Sequence, residues 1–153
     1  MKKALAGLAW LGFGLATVCL GQNPDVWFNE VNYDPPGTDT NEYVEIAGPA
    51  GFDVTGYRIY YYNGANSNVY GTNVLVGTLD DEGCGYGAMS VLFVGIQNGA
   101  PDGMALVSPT DTLLQFLSYE GTMTGVGGPA NGVTSANIGT QNNTNLTLQL
   151  TGT

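Results

Sequence analysis

Thirteen carboxylates, nine tyrosines and no histidine bound the chemistry open to this chain of 153 residues. Without an imidazole there is no usual general base, no usual zinc ligand and no Ser-His or Cys-His nucleophile pair. Carboxylate chemistry survives. Glycoside hydrolysis needs two acids flanking the scissile bond, and the candidates are Glu30 with Glu45, or Asp34 with Glu42. Only the abundance of acids recommends these pairs, so the expectation is a protein that is not an enzyme, with no catalytic residues and no required cofactor.

Calcium is the sharper possibility, because a hard cation takes several carboxylate and carbonyl oxygens from a loop. Asp34, Asp39, Asn41 and Glu42 form one candidate set, and Asp80, Asp81 and Glu82 a second. Neither has the alternating spacing of an EF-hand loop, so solvated turn carboxylates compete with both. The aromatic run Tyr57, Tyr60, Tyr61 and Tyr62 offers a different chemistry. On a strand, Tyr60 and Tyr62 point away from Tyr57 and Tyr61, and with Arg58 they form a candidate contact for a glycan or a protein partner. Tyrosine's ordinary preference for half-buried sheet is the competing explanation. Trp27 and Phe28 read as core and edge packing.

The charge is lopsided, with three basic residues against thirteen acids for a net charge of −10. Lys2 and Lys3 precede an apolar run over 4–20 that ends in small residues near Gly21, and the polar Gln22, Asn23, Pro24 and Asp25 come next. That is the pattern of a bacterial secretory signal peptide over 1–21, cleaved before Gln22 and leaving no membrane span. The remaining 22–153 then hold Arg58 as their one basic residue. Nucleic-acid affinity comes mainly from Lys and Arg on phosphates, so nucleic-acid binding is not expected. Residues 22–153 are one domain by length, able to bury roughly two thirds of the surface their unfolded chain exposes. Cys84 alone cannot form an internal disulfide there, and is expected to be a small buried hydrophobe.

The elements that must position these residues are short. Runs at 26–33, 43–47, 57–62, 73–79, 89–96, 104–107, 113–119 and 146–150 are rich in Val, Ile, Leu, Tyr and Phe, and Gly, Pro, Asn and Asp punctuate the gaps. Alternation puts Val44 with Ile46, and Tyr57, Ile59 and Tyr61, on core-facing sides. Residues 90–96 are apolar on both sides and read as a central strand. From 120 to 145 Gly, Asn and Thr dominate, predicting a long loop. The pattern predicts an all-β protein, an antiparallel β-sandwich or barrel of about eight or nine short strands. The edge strands 26–33 and 146–150 are candidates for self-association. Two glycosylation sequons, Asn142-Asn143-Thr144 and Asn145-Leu146-Thr147, are expected to stay unmodified in a bacterial protein.

Several stretches, in order, resemble bacterial lamin-tail domains. They are Asn29-Glu30-Val31-Asn32-Tyr33-Asp34-Pro35-Pro36-Gly37 with Asn41-Glu42-Tyr43-Val44-Glu45-Ile46, then Val54-Thr55-Gly56-Tyr57-Arg58-Ile59, where Tyr57 takes a position that is often tryptophan. Tyr86-Gly87-Ala88-Met89-Ser90-Val91-Leu92 comes next without the family's proline, then the hairpin from Asp102 to Tyr119, and the closing Leu146-Thr147-Leu148-Gln149-Leu150-Thr151-Gly152-Thr153. The resemblance implies an immunoglobulin-like sandwich over 22–153 and no catalytic residues. It implies a secreted structural or interaction module at the cell surface, such as a subunit of an extracellular assembly, with a protein or glycan partner. Two alternatives stand beside it: the targeting module of a larger secreted hydrolase, and a calcium-dependent carbohydrate-binding or adhesion domain.

Overall fold

The computed structural model describes residues 24–37, 40–142 and 146–150; the expected signal peptide, Asp39 and parts of both sequons lie outside them. The described chain has no helix. Its ten strands are β1 (Trp27–Asn32), β2 (Tyr43–Pro49), β3 (Arg58–Tyr62), β4 (Val69–Val74), β5 (Asp80–Gly83), β6 (Tyr86–Leu92), β7 (Asp102–Val107), β8 (Leu113–Tyr119), β9 (Ala136–Asn137) and β10 (Leu148–Gln149). They form two five-stranded sheets, with orders β10-β1-β2-β6-β5 and β4-β3-β7-β8-β9. Every strand pair is antiparallel except β8 with β9. This is an all-β, immunoglobulin-like sandwich, and its ten strands exceed the expected eight or nine because β9 and β10, two residues each, are counted.

The core is where the period-2 patterns meet. Val44 and Ile46 of β2 and Ile59 and Tyr61 of β3 are all essentially inaccessible, together with Phe28, Val31 and Leu106. At roughly 1.5–3 kcal/mol for each large apolar side chain, burial of this set is the main drive to fold. Two aromatic stacks brace it: Tyr33 on Tyr119 at 3.8 Å and Tyr61 on Phe93 at 4.0 Å between ring centroids. Phe93 fits because Gly71 lies opposite, where any side chain would strike its ring.

Residues 120–142 form an ordered strap. Isolated bridges pair Thr124 with Thr134 and Gly125 with Asn131, and β9 adds to β8. The strap lies over the outer face of the second sheet, where Met123 and Ala130 pack with Tyr62, Ala105 and Phe116 in a second small core. Every residue of β7 is therefore buried, on both faces of its sheet. That changes the assignment of the central strand. Residues 90–96 span the end of β6 and the turn beyond it, in the sheet no strap covers, so Leu92 and Val94 are exposed.

Three other expectations are corrected. The predicted strand at 73–79 is the end of β4 and a connection leading to β5; Leu75 and Leu79 alternate into the core as a strand would, but as the chain passes between sheets. The stretch 26–33 is not an edge, because β1 lies between β10 and β2. Cys84 is exposed, not buried.

Candidate functional site

The carboxylates proposed for calcium are spread over separate structural duties. Glu42 is buried, and its Oε2 accepts hydrogen bonds from the backbone N–H of Gly95 (2.6 Å) and Ile96 (3.0 Å), holding the turn after β6. Asp34 is half-buried and accepts a long bond from Asn98 Nδ2 (3.4 Å). Asp80, Asp81 and Glu82 are exposed on β5, with Asp81 turned back onto the N–H of Gly83 (2.8 Å). Among the described residues no group of three or more Asp, Glu or Cys is placed to share an ion.

The proposed contact of Arg58, Tyr60 and Tyr62 is divided by the strap. Tyr62 is completely buried; its hydroxyl accepts from Ala130 N–H (2.9 Å) and donates to the Gly127 carbonyl (3.1 Å). It cannot touch a partner, which corrects the expectation from strand alternation: the pattern placed it off the main core, and a second layer then covered it. Arg58 and Tyr60 remain half-exposed. Arg58 Nη2 bonds Asp111 Oδ1 at 2.6 Å and the Ser108 carbonyl at 3.2 Å, so the arginine serves the β7–β8 turn.

The structure does bring Glu30 and Glu45 together. They stand directly opposite each other on β1 and β2, on the solvent side, since their neighbours Val31, Val44 and Ile46 point inward. Like charges in this position repel, and neither meets a basic group among the described residues. Both are instead surrounded by donors. Glu30 accepts from the Tyr43 hydroxyl and from Gln149 Nε2 (2.9 Å), and Glu45 from Asn29 Nδ2 (2.7 Å) and Ser90 Oγ (3.4 Å). Partial burial raises the Glu30 pKa, but hydrogen bonds from Tyr43, Gln149 and Thr147 outweigh it and hold the carboxyl below its usual range. The same contact, with burial first, pushes Tyr43 up to about 12. Glu30 is thus an ionised acceptor at neutral pH.

The same face carries two aromatic rings that sequence reasoning assigned to packing or passed over. Trp27 stands opposite Ala47 on β2, and Tyr86 opposite Pro49. The rings meet edge to face at 6.0 Å, and Tyr86 is 57% exposed. Between them the strands carry small residues, Ala47, Gly48, Gly87 and Ala88. The result is a shallow open face with an aromatic pair at one end and Glu30, Glu45, Asn29, Ser90 and Gln149 beyond it. Pairing of β10, β1, β2 and β6 assembles it from segments as far apart as Glu30 and Gln149. The one signal that pointed there was the choice of Glu30 with Glu45 as an acid pair.

Comparison of the chain with protein-family models, with curated proteins and with solved structures finds no match in any of the three.

Proposed function

We propose that the chain is a secreted, non-catalytic interaction module of the lamin-tail type, and that the open face of its first sheet holds a neutral glycan. The observation that carries this reading is the unequal treatment of the two outer faces: the strap roofs the second sheet, while Trp27, Tyr86 and the Glu30–Glu45 row stay accessible to solvent. Aromatic rings stack on the apolar faces of sugar rings, and carboxylate and amide groups bond their hydroxyls. A net charge of −10 disfavours anionic polymers, which leaves neutral ones.

Binding without cleavage is set by the state of the acids. Hydrolysis by a carboxylate pair requires one carboxyl kept protonated as general acid. Glu30 is held in the opposite state, and both carboxylates already accept bonds from their neighbours. The test is retention on insoluble neutral polysaccharides such as cellulose, chitin and starch. Retention on at least one of them is expected without release of reducing sugar, and Trp27→Ala or Tyr86→Ala weakens it at least about tenfold. Retention unchanged in both variants, or none on any polymer, would overturn the reading.

A further inference from the structure

Each sheet of the sandwich has two edges, and they are guarded unequally. Among the described residues, β10 and β9 are two residues long, too short to offer a ladder. β5 is four residues long and carries Asp80, Asp81 and Glu82, the charged edge that discourages pairing. β4 is different. It runs six residues, Val69–Val74, bulged at Tyr70 and regular over 71–74, pairs among the described strands only with β3, and has neither charge nor proline. The strap reaches the chain at and just before its start, where Val126 bridges Asn68 and Gly128 lies against Val69.

Apolar side chains line the same edge. Val74 is 61% exposed and Val76 73%. Behind the edge the end of β6 closes the sandwich, where Asn73 Nδ2 donates to the Leu92 carbonyl at 3.4 Å and Phe93 packs over Gly71. These residues come from two stretches, 59–79 and 83–101, that contain no charged residue, in a chain with thirteen acids and three bases. Contact between two copies at a carboxylate-bearing surface sets like charge against like charge. Here it does not.

We infer that β4 is the self-association edge of this protein, and that its occupant is β4 of a second copy, paired antiparallel about a twofold axis through Thr72. That axis matches the pleat: Gly71 and Asn73, both on the core side opposite Tyr61 and Ile59, face each other across it. The five-stranded sheets of the two copies become one of ten strands. Charge sets the orientation. Asp80 pairs with Ala88, four residues back along β6 from the Leu92 that touches Asn73, about 13 Å along the strand. Antiparallel pairing sends the two acidic β5 strands to opposite ends of the dimer, whereas parallel pairing sets them side by side. The interface is self-complementary, so it closes at two copies.

Sedimentation velocity of the purified chain in reducing buffer, from micromolar to millimolar, tests this. Weight-average mass rises twofold with concentration and then stops. Raising the salt strengthens association, because the copies repel overall and meet at an uncharged edge. Thr72→Lys, which sets two ammonium groups together at the axis, holds the protein monomeric over the same range with its thermal midpoint unchanged. Val74→Lys, a second exposed position, gives the same result if Thr72→Lys folds poorly. Trp27→Ala still dimerises, which separates this edge from the glycan face. A monomer at every concentration and salt, or a dimer indifferent to both lysine variants, overturns the inference.

Discussion

Cys84 occupies the tip of the β5–β6 hairpin, and with Gly85 it forms the two-residue turn, both at positive φ (55° and 83°). Such a turn matches the twist of the flanking strands and normally takes Asn or Gly. The local backbone therefore decides the fate of this side chain, and the usual burial of a free cysteine yields to it. A maleimide is expected to label Cys84 in the native protein as fully as in urea, with peptide mapping to locate the adduct; labelling that required denaturant would contradict the exposed turn. Glu42 shows the reverse case. It reads as a loop acid fit for a cation, yet a carboxylate that accepts two backbone N–H groups inside the protein has become part of the scaffold.

Among the elements, the strap over 120–142 does most to distinguish one face of the sandwich from the other. Its far end is pinned by Gln141, which is buried. Gln141 Oε1 accepts from the N–H of Tyr33 (2.9 Å) and of Asp34 (3.2 Å), and Nε2 donates to Asn32 Oδ1 (2.7 Å). The backbone N–H of Gln141 donates to the Tyr33 hydroxyl, which donates in turn to Glu120 at the strap's near end. Both ends are thus tied to one tyrosine. Gln141→Ala leaves two backbone N–H groups near β1 without their acceptor, at about 2 kcal/mol in urea unfolding. It also opens 120–142 to limited proteolysis, while a substitution at exposed Asn137 does not.

At the scale of the whole molecule, tyrosines take the place that aliphatic residues hold in many sandwiches, and this makes stability sensitive to alkali. Burial first, with nearby carboxylates adding, pushes the hydroxyls of Tyr33 and Tyr119 well up; burial with Tyr70 nearby does so for Tyr61. Tyr70, also chiefly through burial, rises to about 12. An unfolded tyrosine ionises near pH 10. The fold holds these groups neutral, so their contribution is complete below that pH and is lost as pH rises through the folded values. At about pH 11 the native chain is expected to show tyrosinate absorbance from only part of its nine tyrosines, the rest appearing in one step with loss of circular dichroism. Gradual ionisation of all nine with the fold intact would contradict the buried positions.

Period-2 alternation was enough to read the all-β class, the inward faces of β2 and β3 and most strand positions, because each depends on neighbours two residues away. The carboxylate-rich surface and the lack of imidazole chemistry come from composition alone. Sheet order, edges and second layers depend on segments far apart in the chain, and there local patterning had no purchase. Tyr62 alternates off the main core and reads as exposed until a strap some sixty residues later covers it. Strand 26–33 reads as an edge until β10 pairs beside it, and 73–79 has strand composition but spans the gap between sheets. The aromatic and acidic face exists only because pairing of β1, β2 and β6 sets Trp27, Glu30, Glu45 and Tyr86 on one surface. Alternation assigns a residue to a side, and only long-range packing decides whether that side meets core, strap or water.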